Sequence, residues 1–170
     1  MKEFEVYDKM MEEYYDSMSL SILPLSSWEF YGEHNAFLKT CKSDLDMLNK
    51  MSKKWDFEDV YYNELIYKKS VIVVTTTDIK IIYATNNIKG MSGYSVEEVI
   101  GKSPKIFQGK GTDAKISKII REAIDKEIPF EVSLINYKKD NTSYKCYIKG
   151  FPVKDKKGNL VNFIAFERAA

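Results

Sequence analysis

A chain of 170 residues at 44% hydrophobic content suffices for one well-buried core with a helical appendage and is short for two ordinary domains. Its 26 basic and 25 acidic residues nearly cancel, which leaves no electrostatic footprint for a phosphate backbone and disfavours nucleic acid as a partner. No apolar run approaches the roughly 20 residues that span a bilayer, and the acidic start MKEFEVYDKMMEEYYD lacks the regions of a signal peptide, so a cytoplasmic protein without a membrane partner is expected.

Cysteine and histidine usage narrows the chemistry. Cys41 and Cys146 are the only cysteines, with no CxxC, and His34 is the only histidine. A disulfide framework, a metal site and a Cys/His or Ser/His catalytic pair are all unsupported. No paired acid and base stands at defined spacing, so an enzyme is not expected.

Seven of the eight glycines lie from Gly90 onward, while the first half has only Gly32 and Pro24 as breakers, which predicts helices first and turn-linked strands after. Residues 3 to 18 read as a helix ending before SILPLSS, because Leu23 precedes Pro24. Ser26 and Glu29 form a capping box for a second helix. That helix sets Leu38, Cys41, Leu45 and Leu48 on one stripe at spacings of 3 and 4. The stripe packs internally, forms a homodimer seam or docks another protein. A third helical stretch, near Glu58 to Lys68, leads into strands.

SVIVVTTT and KIIYAT, joined at Asp78-Ile79-Lys80, read as a hairpin, and Asn86 and Asn87 suit a strand end and a helix cap. Short helical turns follow, one opened by the box Ser95 to Glu98 and one at Pro104 to Gln108. Asp113 caps a longer helix with Ile116, Ile119, Ile120 and Ile124 on its inner face. Strands over Pro129 to Tyr137, Ser143 to Phe151 and Asn159 to Glu167 finish the chain. The order gives an α+β domain: a five-stranded antiparallel sheet over residues 70–170 with short helices on one face, preceded by an N-terminal helical extension over residues 1–69.

The run YATNNIKGMSGYSVEEVIGKSPKIFQGKGTD, then IIREAI, LINYKKDNTSYK and PVKDKKGNLVNFIAFE, resembles a PAS domain and specifically its LOV (light-oxygen-voltage) subgroup. In that family GYxxEEVxGxNCRFLQGxxTD precedes the long helix, and LINYxKxG precedes a strand containing FWN. The resemblance implies the PAS fold and a sensory role, with a flavin such as FMN held non-covalently. On the phosphate side it places Lys105 where the family has arginine, and it keeps Gln108 and Arg121. Arg121 is one of only two arginines beside 24 lysines, and its planar fork suits phosphate in a way lysine does not. Around the flavin ring it keeps Asn136, but puts Cys146 at the second asparagine, Glu167 at the strand glutamine and Ser103-Pro104 at the reactive Asn-Cys pair.

Proline carries no nucleophilic atom, so the resemblance implies a flavin site without the cysteinyl adduct. Glu167 is either a buried carboxyl with a raised pKa, able to donate as the neutral acid, or an outward, solvated group; apolar residues throughout FIAFE leave its face open. A PAS interaction or dimerisation module with a differently filled pocket is the alternative function. Either way, signalling through the N-terminal helices, with Tyr61 to Lys69 coupling them to the sheet, to a homodimer or a separate output protein is expected.

Overall fold

The computed structural model describes residues 26–58 and 60–169, with side chains from Phe37 onward. The helix expected over 3 to 18 and the side chains of the Ser26–Glu29 box lie outside the described residues. Two compact units divide the chain, Met1–Phe37 and Leu38–Ala170, and among the described residues the second holds every strand. Helix α1 spans Ser26–Ser52, strand β1 Trp55–Asp56, and a single π-helical turn Asn63–Tyr67. Then come β2 (Val71–Thr75), β3 (Ile81–Ala84), α2 (Ile88–Ser92), α3 (Val96–Val99), a 3₁₀ turn (Pro104–Phe107), α4 (Ala114–Asp125), β4 (Phe130–Tyr137), β5 (Ser143–Asp155) and β6 (Leu160–Ala169).

The five expected strands form one antiparallel sheet, joined by the two-residue β1. Its order is β1-β5-β6-β2-β3, with β4 also on β5: the first part of β5 pairs with β4 and its last residues, Lys154 and Asp155, with β1. Strand β2, VIVVT, is buried at all five positions. A β-branched run without alternation fits a strand covered on both faces.

Register sorts the side chains. Val71 faces Glu167, Val73 faces Ala165 and Thr75 faces Phe163; Glu167 in turn faces Ile148, and Ala165 faces Gly150. On this inner face Val71 and Val73 join Ile81, Ala84, Ile88, Val99 and Phe107 in a buried cluster, each large side chain contributing about 1.5–3 kcal/mol by leaving water. The short helices gather on this face, as expected, and residues of the N-terminal extension cover the opposite one. Phe57 packs edge-on against Phe151, and Phe151 against Phe166, both at 5.9 Å between ring centres, while Leu48, Tyr61 and Leu65 are fully buried. Of the helical stripe, Cys41 and Leu48 are buried, Leu45 is half-buried and Leu38 is exposed.

Caps explain several boundaries. The Ser95 to Glu98 box is complete and opens α3, and the Asp113 side chain accepts from the Lys115 amide at 2.7 Å to open α4. Ile116, Ile120 and Ile124 are half-buried along α4, whereas Ile119 is exposed, because a step of about 100° per residue turns it off that stripe. Asn86 and Asn87 do not cap α2 with their side chains. The Asn87 amide donates to the Ser70 carbonyl at 3.0 Å, and Asn86 is committed to α1. There the buried Asp44 carboxylate accepts from the Asn86 Nδ2 at 2.8 Å, the Asn86 backbone N–H at 3.0 Å and the Tyr83 hydroxyl at 2.7 Å. Three donors answer one buried charge and fasten the second half of α1 to the end of β3.

Candidate ligand-binding site

Between the inner sheet face and helix α4 lies a cavity of about 100 Å³. Its walls are apolar, chiefly Val73, Ile120, Ile124, Phe130, Leu134, Ile148 and Phe163, and its polar groups are Thr75, Gln108, Asn136 and Glu167. Two features of the sequence make the space. Gly150 gives Phe130 on the neighbouring strand its place: a Cβ there would collide with the Phe130 ring. Ile79, in the β2–β3 turn, sits at φ 58°, at a cost of about 1–2 kcal/mol for an L-residue, and closes one wall.

A wider groove of about 870 Å³ adjoins the cavity. Ile79, Pro104, Gln108, Ile120 and Ile124 line both, while Lys105, Thr112, Ser117, Lys118 and Arg121 face the groove. The loop from the 3₁₀ turn to α4 is tied to β4: the Thr112 hydroxyl donates to the Ile135 carbonyl at 2.6 Å, and the Gly111 amide donates to the Tyr137 hydroxyl at 2.8 Å. Gly109 has to be glycine here, because a Cβ would press into the Tyr137 ring.

Of the six residues singled out from the sequence, Gln108, Asn136 and Glu167 line the cavity, and Lys105 and Arg121 line the groove with Gln108. Cys146 lines neither. It is fully buried on β5 behind Glu167, and its thiol donates to Glu167 Oε2 at 3.8 Å. Burial, reinforced by that carboxyl, pushes the thiol well above the ordinary cysteine range, so it is protonated and poorly nucleophilic. The hydroxyl of Tyr144, raised by burial and by Cys146 and Glu167, completes the cluster.

The question of which way Glu167 points is resolved by register: it faces inward, opposite Val71 and Ile148. Only 5% exposed, it has its pKa pushed up to about 7 by burial, with the Cys146 thiol acting weakly the other way. Asn136 is 3% exposed, and its Oδ1 has no hydrogen-bond partner. The Thr75 hydroxyl is buried in the same condition. Buried polar atoms left unpaired cost free energy, and both residues line the cavity, where a ligand can satisfy them.

The sequence reading missed the roles of Thr75, Ile79, Phe130 and Gly150 as walls. The strands of Thr75, Phe130 and Gly150 and the turn at Ile79 were legible, but the face the three strand residues share follows from register between distant strands. Asp44 was also missed, although an acidic residue three after Cys41 and four before Leu48 sits inside the apolar stripe, a signal of burial with a partner.

A PAS domain family profile matches residues 69–168. The chain belongs to the PAS domain family, in its LOV subgroup. This PAS/LOV chain is 40% identical over 88 residues to Protein TWIN LOV 1 of Arabidopsis thaliana, 35% over 88 residues to a blue-light-activated histidine kinase of Brucella anthropi, and 34% over 93 residues to phototropin-2 of Oryza sativa subsp. japonica. The matches cover 51%, 52% and 55% of it but only 22%, 18% and 10% of those proteins, so it spans a small part of each. Among solved structures, the dark structure of the blue-light photoreceptor Aureochrome1 LOV superposes with a TM-score of 0.61 at 27% identity, covering 68% of this chain and 86% of that one. The LOV domain of the Erythrobacter litoralis EL346 blue-light-activated histidine kinase shares the fold at a TM-score of 0.56 and 20% identity, covering 59% and 94%. Among the described residues no helix is long and apolar enough to cross a membrane.

Proposed function

We propose that this PAS/LOV domain is a sensor that binds a flavin non-covalently, FMN by preference, and works without a cysteinyl adduct. The observation that carries the reading is the junction at Pro104 and Gln108 of an apolar cavity with a polar groove that carries Lys105, Lys118 and Arg121 beside Asp78 and Asp125. A flavin mononucleotide has the matching halves: a flat apolar ring with a polar edge, and a phosphate on a hydroxylated chain. The residues fit it. Arg121 and Lys105, on the groove, would meet the phosphate, Gln108 the chain between, and the unpaired Oδ1 of Asn136 an imide N–H of the ring. Bound flavin would supply light absorption and redox chemistry. Pro104, on the shared wall, offers no atom that could bond to it.

The relatives named for blue light support the sensor class, and their kinase outputs are their own. Signal would pass from the sheet into α1 through the segment Tyr61 to Lys69, within which Glu64 accepts from Lys68 at 2.6 Å and, at the start of β2, from the Ser70 hydroxyl at 2.8 Å. It would end in a homodimer through the N-terminal helices or in a separate output protein. A cytoplasmic location belongs to the same proposal.

Titration of ligand-free protein with FMN and with riboflavin, followed by quenching of flavin fluorescence, tests the site. Arg121→Ala is expected to weaken FMN by about tenfold, the value of a charge-assisted contact in an open groove, and to leave riboflavin unchanged. Equal weakening of both, or wild-type protein that binds neither, contradicts the proposal.

A further inference from the structure

The most unusual group on the inner sheet face is Glu167, a carboxyl on a central strand with no cation beside it. Among the described residues its only hydrogen-bond partner is the Cys146 thiol. Every other charged group nearby is turned elsewhere. On β6 itself, Arg168 points to the opposite face and lies over the Tyr147 ring, 5.3 Å from its centre. On β5, Lys149 pairs with Glu131 of β4 on that same opposite face, which leaves Cys146 and Tyr144 as the titratable groups beside Glu167. Strand β4 contributes the Asn136 amide, and β2 contributes Val71 and Val73. Helix α4 presents Ile120 and Ile124 to the cavity, while its Arg121 and Asp125 line the groove outside. A carboxylate taken out of water without a compensating charge is costly, and the group avoids that cost by holding its proton.

The neutral acid has one O–H to donate. The Cys146 sulfur is already a donor to Oε2, and the cavity is the remaining direction in which Glu167 is open. We propose that Glu167 acts as a proton-bearing hydrogen-bond donor at the inner end of the cavity, so that ligand binding is proton-linked and selects a ligand with an acceptor, a carbonyl oxygen or an unprotonated ring nitrogen, at that edge. Asn136 Oδ1, unpaired in the same wall, is the complementary acceptor, so the two side chains together ask for an acceptor beside a donor on one planar edge. The inference rests on the flavin reading for its ligand, and it adds a regulation that follows from this chain's carboxyl.

Linkage gives the direction. Glu167 is raised to about 7 in the ligand-free fold. A ligand acceptor stabilises the protonated form and raises it further, so binding takes up a proton near and above that value, and affinity falls as pH rises. Below it, the acid is protonated in both states and affinity is level.

The test titrates the whole chain, freed of ligand, with riboflavin, which has no phosphate to ionise. Wild type and Glu167→Gln are compared across about pH 5 to pH 9, where a single linked proton changes affinity by up to about tenfold per pH unit. The expected result is wild-type affinity that is level in acid and falls by about tenfold per unit above neutrality, with Glu167→Gln binding at all pH values without slope. Calorimetry of the wild type in buffers of different ionisation enthalpy reads the same step without a variant: proton uptake is expected at pH 8 and none at pH 5. A wild-type affinity independent of pH with no proton exchange overturns the inference and leaves the flavin reading standing. Failure of riboflavin and FMN to bind at every pH overturns both.

Discussion

Replacing Asp44 with alanine is expected to destabilise the fold by about 3 kcal/mol, the range found when one partner of a buried charged network is removed. The carboxylate, 3% exposed, accepts from Tyr83 and twice from Asn86, residues 39 and 42 positions away. Its loss leaves three donors facing a small hole in which water replaces them poorly. Tyr83→Phe removes one of these bonds and should cost about 1 kcal/mol. Because both substitutions act on the same contact, the double variant should be less destabilised than the sum of the singles. Denaturant unfolding supplies the energies, and hydrogen exchange supplies the location. Amides of α1 from Leu38 to Ser52 should lose protection in Asp44→Ala before those of β2 and β6 do. Additive single effects, or uniform loss of protection, would show that Asp44 does not fasten the helix to the sheet.

The second large effect is on pH dependence. Glu167 has an ordinary value of 4.5 and a folded value of about 7, so its contribution to stability is fully present below about pH 4.5 and is lost as pH rises through 7. The span corresponds to about 3 kcal/mol. Other carboxylates work in the opposite sense. Asp78, Glu98 and Asp155, depressed by their hydrogen bonds, contribute above their ordinary range and lose that contribution in acid. The two windows meet near the ordinary carboxylate range, so ligand-free protein should be most stable in mild acid and weaken towards neutrality. Glu167→Gln, matched in shape and carrying no proton to lose, should flatten the decline and exceed the wild type in stability at pH 8. Urea midpoints at half-unit steps of pH measure this; a decline of the same slope in the variant contradicts it.

Much of the fold could be read directly from the chain, because the rules that govern it are local. The box at Ser95 to Glu98, the cap at Asp113 and the β-branched run from Val71 to Thr75 each act within a few residues, and each formed as expected. What escaped depends on partners far away in sequence. Two residues, Trp55 and Asp56, carry no period, and they form a strand only because β5 offers an edge at Lys154 and Asp155. Asn86 and Asn87 have the chemistry of caps, and tertiary partners claim both side chains. Within the site the same division holds. The family resemblance implied a phosphate end and a ring end, whereas the inward turn of Glu167 and the recessed position of Cys146 follow from pairing across β2, β5 and β6.

The most direct measurement is the visible spectrum of protein purified in the dark, before and during blue illumination. The proposed function predicts a structured blue absorption band of bound, oxidised flavin that illumination does not convert to the single near-ultraviolet band of a thiol adduct. Flavin released by acid should co-migrate with FMN. Colourless protein that stays colourless after addition of FMN would contradict the cofactor, and reversible formation of the adduct band would contradict the assignment of Pro104 as the residue that removes it.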